Sequence, residues 1–242
     1  MANATQTAEL HAVRFPNESE AYRAARFDLL RAEMDLRAKI EEIAALRRSL
    51  PLGGALKEDY LFTEGPEDLD VELDDAAGER EVRLSELFED GKNTLAIYSY
   101  MYGPAMASPC PMCTSMLDGL NGSAVHIKQR INLAVVAKSP LQRIRAVAKE
   151  RGWKNLRLLS SAANTYNLDY QGESAKGSQQ PSLNIFVRRD GQVFHTYNTE
   201  LHFAPRQPGM DPRHVDMIWP LWNMLDLTPE GRGKDWYPKL KY

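Results

Sequence analysis

The sequence predicts an α/β fold: one mixed β-sheet flanked by helices, with an added long helix before it and an aromatic extension after it. Three observations carry this. Between Thr94 and Ser160, short apolar runs alternate with stretches of helical period. Period-two patterns and an Asp-Gly turn signal lie on either side of that region, and a stretch without glycine or proline fills residues 18 to 50. Strand, helix, strand, helix, strand with right-handed crossovers gives a parallel sheet covered on its faces. The 242 residues, 43% hydrophobic and 26% charged, suffice for one large domain with appendages, which excludes a mini-protein and wholesale disorder. A net charge of -3 supplies no general attraction to nucleic acid or anionic membrane. No apolar run approaches the ~18 residues of a membrane span, and Met1 to Val13 holds no signal-like apolar core, so a cytoplasmic chain is expected.

Taken in order, Asn17 or Ser19 can cap a helix reaching about Leu50, where Pro51, Gly53 and Gly54 end it. Tyr22, Leu29, Leu36, Ile43 and Leu50 recur every seven residues, a stripe that must lie on its own domain or on a second subunit, which makes residues 18–50 a candidate homodimer seam. Next, Tyr60 to Phe62, Val71 to Leu73 and Glu81 to Leu84 alternate as short strands, with Asp74 to Gly78 as a turn and a small helix near Ser85 to Asp90. Thr94 to Tyr100 reads as a strand covered on both faces. A helix to about Arg130 follows, with Gly122 a candidate break, then a strand from Ile131 to Ala137, a helix from Pro140 to Arg151 and a strand from Leu156 to Ser160. After a polar loop, Ser182 to Arg188 and Gln192 to Thr199 form a hairpin through Asp190-Gly191. The end of the chain, with Trp219, Trp222, Trp236, Tyr237 and Tyr242, is too aromatic for a loose tail and predicts a helix over Pro212 to Leu225 and then a strap. The expected organisation is a helical arm (1–54), an α/β domain (55–205) and a C-terminal helix and strap packed on it (206–242).

The chain has two cysteines, Cys110 and Cys113, spaced as Cys-x-x-Cys where the Thr94 to Tyr100 strand gives way to a helix. Helix starts leave four backbone N–H groups unpaired. Pro111 suits the first helical position, which places Cys110 at the N-cap and Cys113 in the third position. A thiolate at the N-cap gains from those amides and from the helix dipole, so Cys110 is expected to titrate low and attack, with Cys113 resolving the mixed disulfide. Peroxide could equally oxidise Cys110 to a sulfenic acid. A structural zinc site wants about four ligands, whereas His126, His195, His202 and His214 are dispersed. No metal and no tightly bound cofactor are therefore expected. Pro181 stands directly before the Ser182 strand, where a plain trans proline and a cis bond presenting the backbone of Gln180 beside Cys110 are both compatible with the residues. Tyr100, Tyr102, His126, Asn164 and Tyr166 fall near strand ends, where such sheets place their sites. Of these, Tyr100 and Tyr102 are candidate substrate-binding residues together with Gln180 and Pro181.

This order of elements, with Cys-x-x-Cys at the first buried strand-to-helix junction and a proline before the penultimate strand, resembles the thioredoxin-like fold. More specifically, Tyr98 to Pro104, Cys110 to Gly122, Gln129 to Pro140 and Asp211 to Trp222 resemble the DUF899 family, whose members are described as predicted dithiol-disulfide oxidoreductases. The resemblance covers most of residues 55 to 242. It implies a thioredoxin-like fold, a cis Pro181, and thiol-disulfide exchange with a protein or small-molecule disulfide or thiol. Ser108-Pro109 stands where thioredoxin itself has an aromatic residue before the first cysteine, which implies a different approach surface. The alternatives are a thiol peroxidase of peroxiredoxin-like type and a redox-inactive interaction or dimerisation protein.

Overall fold

The computed structural model describes residues 10–73, 78–206, 208–233 and 236–242. The chain divides into two units, residues 1–51 and 52–242. The first is built on helix α1, Glu20–Ser49. Ser19 caps it by accepting the Tyr22 N–H at 3.1 Å, Glu20 lies in its first turn and Arg47 and Arg48 in its last, which matches the helix dipole at both ends. The lead-in to α1 turns back on it. Phe27 is buried under His11, Arg14 and Arg23, and Arg23 is ion-paired with Glu18. The seam residues Tyr22, Leu29, Leu36, Ile43 and Leu50 are exposed.

The second unit holds strands Leu61–Glu64 (β1), Arg80–Arg83 (β2), Thr94–Ser99 (β3), Asn132–Ala137 (β4), Arg157–Ser160 (β5), Ser182–Arg189 (β6) and Gln192–Asn198 (β7). Its helices are Pro111–Ile127 (α2), Leu141–Arg151 (α3), Tyr166–Asp169 (α4) and Pro220–Leu225 (α5). The strands form one sheet in the order β2-β1-β5-β4-β3-β6-β7. β3, β4 and β5 are mutually parallel, and the other pairings are antiparallel. The fold is therefore the mixed, helix-flanked sheet that the sequence predicts, with the Cys-x-x-Cys at the β3 to α2 junction.

Residues of β3 and β4 alternate between two cores, as the period of a strand requires. Ala96, Tyr98, Leu133, Val135 and Ala137 join α2 and α3 through Met116, Leu117, Leu120, Ile144 and Ala148. Leu95, Ile97, Ala134 and Val136 join Tyr60, Phe62, Leu84, Tyr166 and Phe186 on the opposite face. The β6 to β7 turn uses Asp190 and Gly191, both at positive φ (49° and 79°), as a two-residue hairpin turn requires. Along β7, Gly54 accepts the His195 N–H, and the chain runs so close that a Cβ on Gly53 would meet the His195 carbonyl oxygen at 2.2 Å. That position admits only glycine.

Four local expectations are corrected. Val71 to Leu73 joins no strand, because the carbonyls of Pro66, Asp68 and Val71 are turned onto the guanidinium of buried Arg145 from α3, leaving this segment wrapped around a cation. Most of the expected Asp74 to Gly78 turn lies outside the described residues. α2 runs unbroken through Gly122, whose missing side chain costs about 1 kcal/mol in a helix without breaking it. The expected helix over Pro212 to Leu225 reduces to a 3-10 turn at Asp216–Ile218 followed by α5, because Pro220 cannot sit inside a helix but suits its first position. Finally, there is no cis peptide bond among the described residues, so the bond before Pro181 is trans. Pro181 precedes Ser182, the first ladder residue, where its missing N–H costs no pairing.

Among the described residues no helix is long and apolar enough to cross a membrane.

Candidate active site

β3 delivers the chain to the cysteines. Past Ser99 the ladder continues for one more bond, from the Tyr100 N–H to the Val136 carbonyl at 2.8 Å. The loop then folds back until the Cys110 N–H reaches the Met101 carbonyl at 3.0 Å. Arg143, on α3, fixes this loop. Its guanidinium donates to the carbonyls of Pro104 and Met106 and lies 4.5 Å from the centre of the Tyr102 ring. Pro111 then opens α2 with Cys110 at the N-cap.

Both cysteines are free thiols; Cys110 is half-buried, whereas Cys113 is 3% exposed. Thr114 donates its N–H and its hydroxyl to the Cys110 carbonyl at 3.0 and 2.9 Å, which holds the first turn of the helix. The Tyr100 hydroxyl in turn donates to the Thr114 hydroxyl at 2.7 Å. Tyr98, the previous inward residue of β3, donates to the Cys113 sulfur at 3.3 Å.

These contacts push the two thiols apart. The Cys110 thiol is lowered to about 6, first by a hydrogen bond from the Cys113 thiol. Burial opposes this, while the amides of Cys113 and Met112 and the Tyr237 hydroxyl add to it. Because Cys110 makes no side-chain capping bond of ordinary geometry, the amides act electrostatically on a thiolate rather than as a formed cap. Cys113 moves the other way, raised well above its ordinary value by its bond to Cys110 and by burial. One proton shared by the pair thus resides on the inner sulfur. The same environment raises Tyr98 and Tyr100, in both cases chiefly through burial, so both stay protonated donors.

Cys110 and Cys113 line a cavity of about 480 Å³ with Tyr98, Gln180 and Pro181. The lining also takes in C-terminal residues: His202, His214, Trp219, Trp222 and Tyr237, the last bonded to Cys110. The strap that carries Tyr237 is tied down further on, where Arg151 donates to the Leu240 carbonyl and the Tyr242 hydroxyl and forms an ion pair with Asp118. Of the four candidate substrate-binding residues, Gln180 and Pro181 line the same cavity as Cys110. Tyr100 and Tyr102 do not; both are buried behind the cysteine loop, and their work is to hold Thr114 and to stack under Arg143. His126 is exposed on α2, Asn164 bonds the Leu61 carbonyl, and Tyr166 is buried in the opposite core. None of these three reaches the cysteines.

Sequence reasoning missed the C-terminal part of the lining. His202 and His214 are set aside by their spacing, yet their rings meet at 4.5 Å between centres. The available signal was the density of Pro, His and Trp between Asp211 and Trp222, a composition unlike a plain helix. Among the described residues, no group of three or more His, Cys, Asp or Glu is placed to hold a metal ion.

Fold and site together define an α/β protein with a dithiol at a helix N-terminus, facing a cavity closed by its own C-terminal segment. The chain belongs to the DUF899 family, described as bacterial protein of unknown function, whose sequence profile matches residues 12–242. No curated protein matches it. Among solved structures it is similar to the AhpC of Enterococcus faecalis, at 11% identity over 77% of this chain and 98% of that one, with a TM-score of 0.44. It is similar also to thioredoxin peroxidase I of Plasmodium yoelii, at 16% identity over 78% of this chain and 100% of that one, TM-score 0.44. A third is the peroxidoxin BcpB of Mycobacterium tuberculosis, at 16% identity over 70% of this chain and 94% of that one, TM-score 0.41.

Proposed function

We propose that this protein is a thiol-disulfide oxidoreductase, with Cys110 as nucleophile and Cys113 as resolving thiol. The observation that carries the reading is the asymmetry of the pair: one half-buried sulfur at a helix start, where its surroundings favour the anion, and one buried sulfur whose surroundings favour the thiol. In the forward direction the Cys110 thiolate attacks one sulfur of a disulfide R–S–S–R. A Cys110–S–R bond forms, and R–S⁻ leaves with the electron pair of the broken bond and takes a proton from solvent. Cys113 then loses its proton and attacks the Cys110 sulfur. The intramolecular disulfide forms, the second R–S⁻ is expelled and protonated, and two electrons have passed from the chain to the substrate. The reverse sequence oxidises a dithiol. Tyr98 is a positioning residue in this scheme, since its hydroxyl faces Cys113 and stabilises the thiolate that must form there.

The test is a single turnover. Pre-reduced protein is mixed with 2-hydroxyethyl disulfide, and released thiol is counted. Two thiols released per chain, lost in Cys110→Ser and halved to one in Cys113→Ser with the other half retained as an adduct on Cys110, are the expected results. Consumption of hydrogen peroxide with no disulfide exchange would assign the site to peroxide reduction instead. Inertness toward both would leave the redox-inactive alternative.

A further inference from the structure

Half of the unpaired buried polar atoms belong to residues around one cavity. Among the described residues ten buried side-chain nitrogen or oxygen atoms have no hydrogen-bond partner, and five of them belong to residues that line the cavity of the cysteines. They are Nδ1 of His202, both ring nitrogens of His214, and Nε1 of Trp219 and Trp222. His214 is 8% exposed and Trp219 2%. A buried donor or acceptor left without a partner costs about 1 to 3 kcal/mol, so a cluster of five such atoms is poor as structure alone and fits a surface that a ligand completes.

The chemistry of the five atoms defines that ligand. Indole nitrogens donate and cannot accept. His214 is neutral, since burial and the neighbouring His202 lower it to about 4, so its ring offers one further donor and one acceptor. His202 already contacts the Gln180 side-chain oxygen through Nε2 at 2.9 Å. The charged groups of the same lining are consumed among themselves. Arg232 pairs with Asp211, Asp216 and Asp226, and Arg213 with Asp216 and Asp226. What the wall has left to give is therefore mainly neutral N–H groups set in aromatic surface, with Arg232 stacked 4.7 Å from the Trp222 ring centre behind them. The volume, about 480 Å³, lies within the roughly 300 to 1,000 Å³ of small-molecule sites and is too confined for a folded protein surface.

We infer that this cavity is a subsite for a low-molecular-weight disulfide carrying oxygen acceptors, carboxylate or amide carbonyl, which His214, Trp219 and Trp222 bind while the sulfur faces Cys110. The inference rests on the exchange reading for its second half; the binding half stands on the unpaired donors.

Binding is measured by calorimetry at neutral pH on the Cys110→Ser/Cys113→Ser protein, which cannot react. The probes are two disulfides of similar size, 3,3′-dithiodipropionate with carboxylate ends and cystamine with ammonium ends. The dicarboxylate binds about tenfold more tightly or better, a difference that one lost donor contact can account for. Adding Trp222→Phe, which keeps an aromatic ring beneath Arg232 and removes the N–H along with part of the indole surface, cuts that preference severalfold. Equal affinity, tighter binding of cystamine, or no binding of either at millimolar concentration overturns the inference, and these probe comparisons do not depend on the Trp222 variant folding. Reduction of the same probes by the unmodified chain reads the other half separately. A preference in binding without reduction removes the exchange and keeps the subsite, whereas reduction of both probes at equal rates with equal binding removes the subsite and keeps the exchange.

Discussion

The two faces of the central sheet are both lined with tyrosines, and they treat their hydroxyl groups differently. On one face Tyr60, Lys57 and Thr165 converge on the Asp169 carboxylate at 2.7 to 3.0 Å. Tyr166, Tyr170 and Phe186 pack around them edge to face. Here the principal charge has its partners within the chain, although the Tyr166 hydroxyl and the Asn167 amide nitrogen do not. On the other face Tyr98 and Tyr100 direct their hydroxyls at Cys113 and Thr114, and residues lining the cavity of the cysteines carry five unpaired nitrogens. A saturated polar cluster contributes stability. A cluster with donors to spare, beside a lowered thiol, has the composition of a site.

The difference can be broken by substitution, and the largest effect is chemical. Cys110→Ser should reduce disulfide turnover at least about a hundredfold, since the remaining thiol, Cys113, is buried and held protonated, while Asp169→Asn on the opposite face should leave the rate within about twofold as measured by thiol release. Stability should respond the opposite way. Asp169→Ala strands the part-buried Tyr60 hydroxyl together with Lys57 and Thr165, and a loss of about 2 to 3 kcal/mol is expected in urea unfolding with the thiol titration unmoved. Tyr98→Phe sharpens the contrast on the active face. The Tyr98 hydroxyl lowers Cys113, so its removal raises that thiol further and should lengthen the life of the mixed disulfide severalfold, for about 1 kcal/mol of stability. The smallest effect is expected from Tyr237→Phe. The lost hydroxyl stabilised the Cys110 thiolate, so the titration moves upward, with a change in unfolding below about 0.5 kcal/mol because the side chain is half exposed.

Legibility in the sequence followed the range of the interactions. Pro111 and the apolar run before it are local, and they located the Cys110 N-cap, the Cys113 position and the parallel strands to within a residue or two. Asp190-Gly191 did the same for the hairpin. What failed depended on partners far along the chain. Nothing between Gly65 and Leu73 signals that Arg145 will collect its carbonyls. The trans bond at Pro181 departs from what family resemblance implied. Pro220 is an exception, since its position inside the expected C-terminal helix was readable and argued for a later start. The cavity wall was hidden for the general reason that His202, His214, Trp222 and Tyr237 come together only when the strap returns to α2.

The account turns on the state of one sulfur. Alkylation of Cys110 by iodoacetamide, followed residue by residue with mass spectrometry from acid to alkaline pH, measures it directly. The folded protein should react with a midpoint near 6, with Cys113 silent throughout, because the amides at the start of α2 and the Cys113 thiol favour the anion. A midpoint at or above the ~8.5 of an unperturbed thiol would contradict the account.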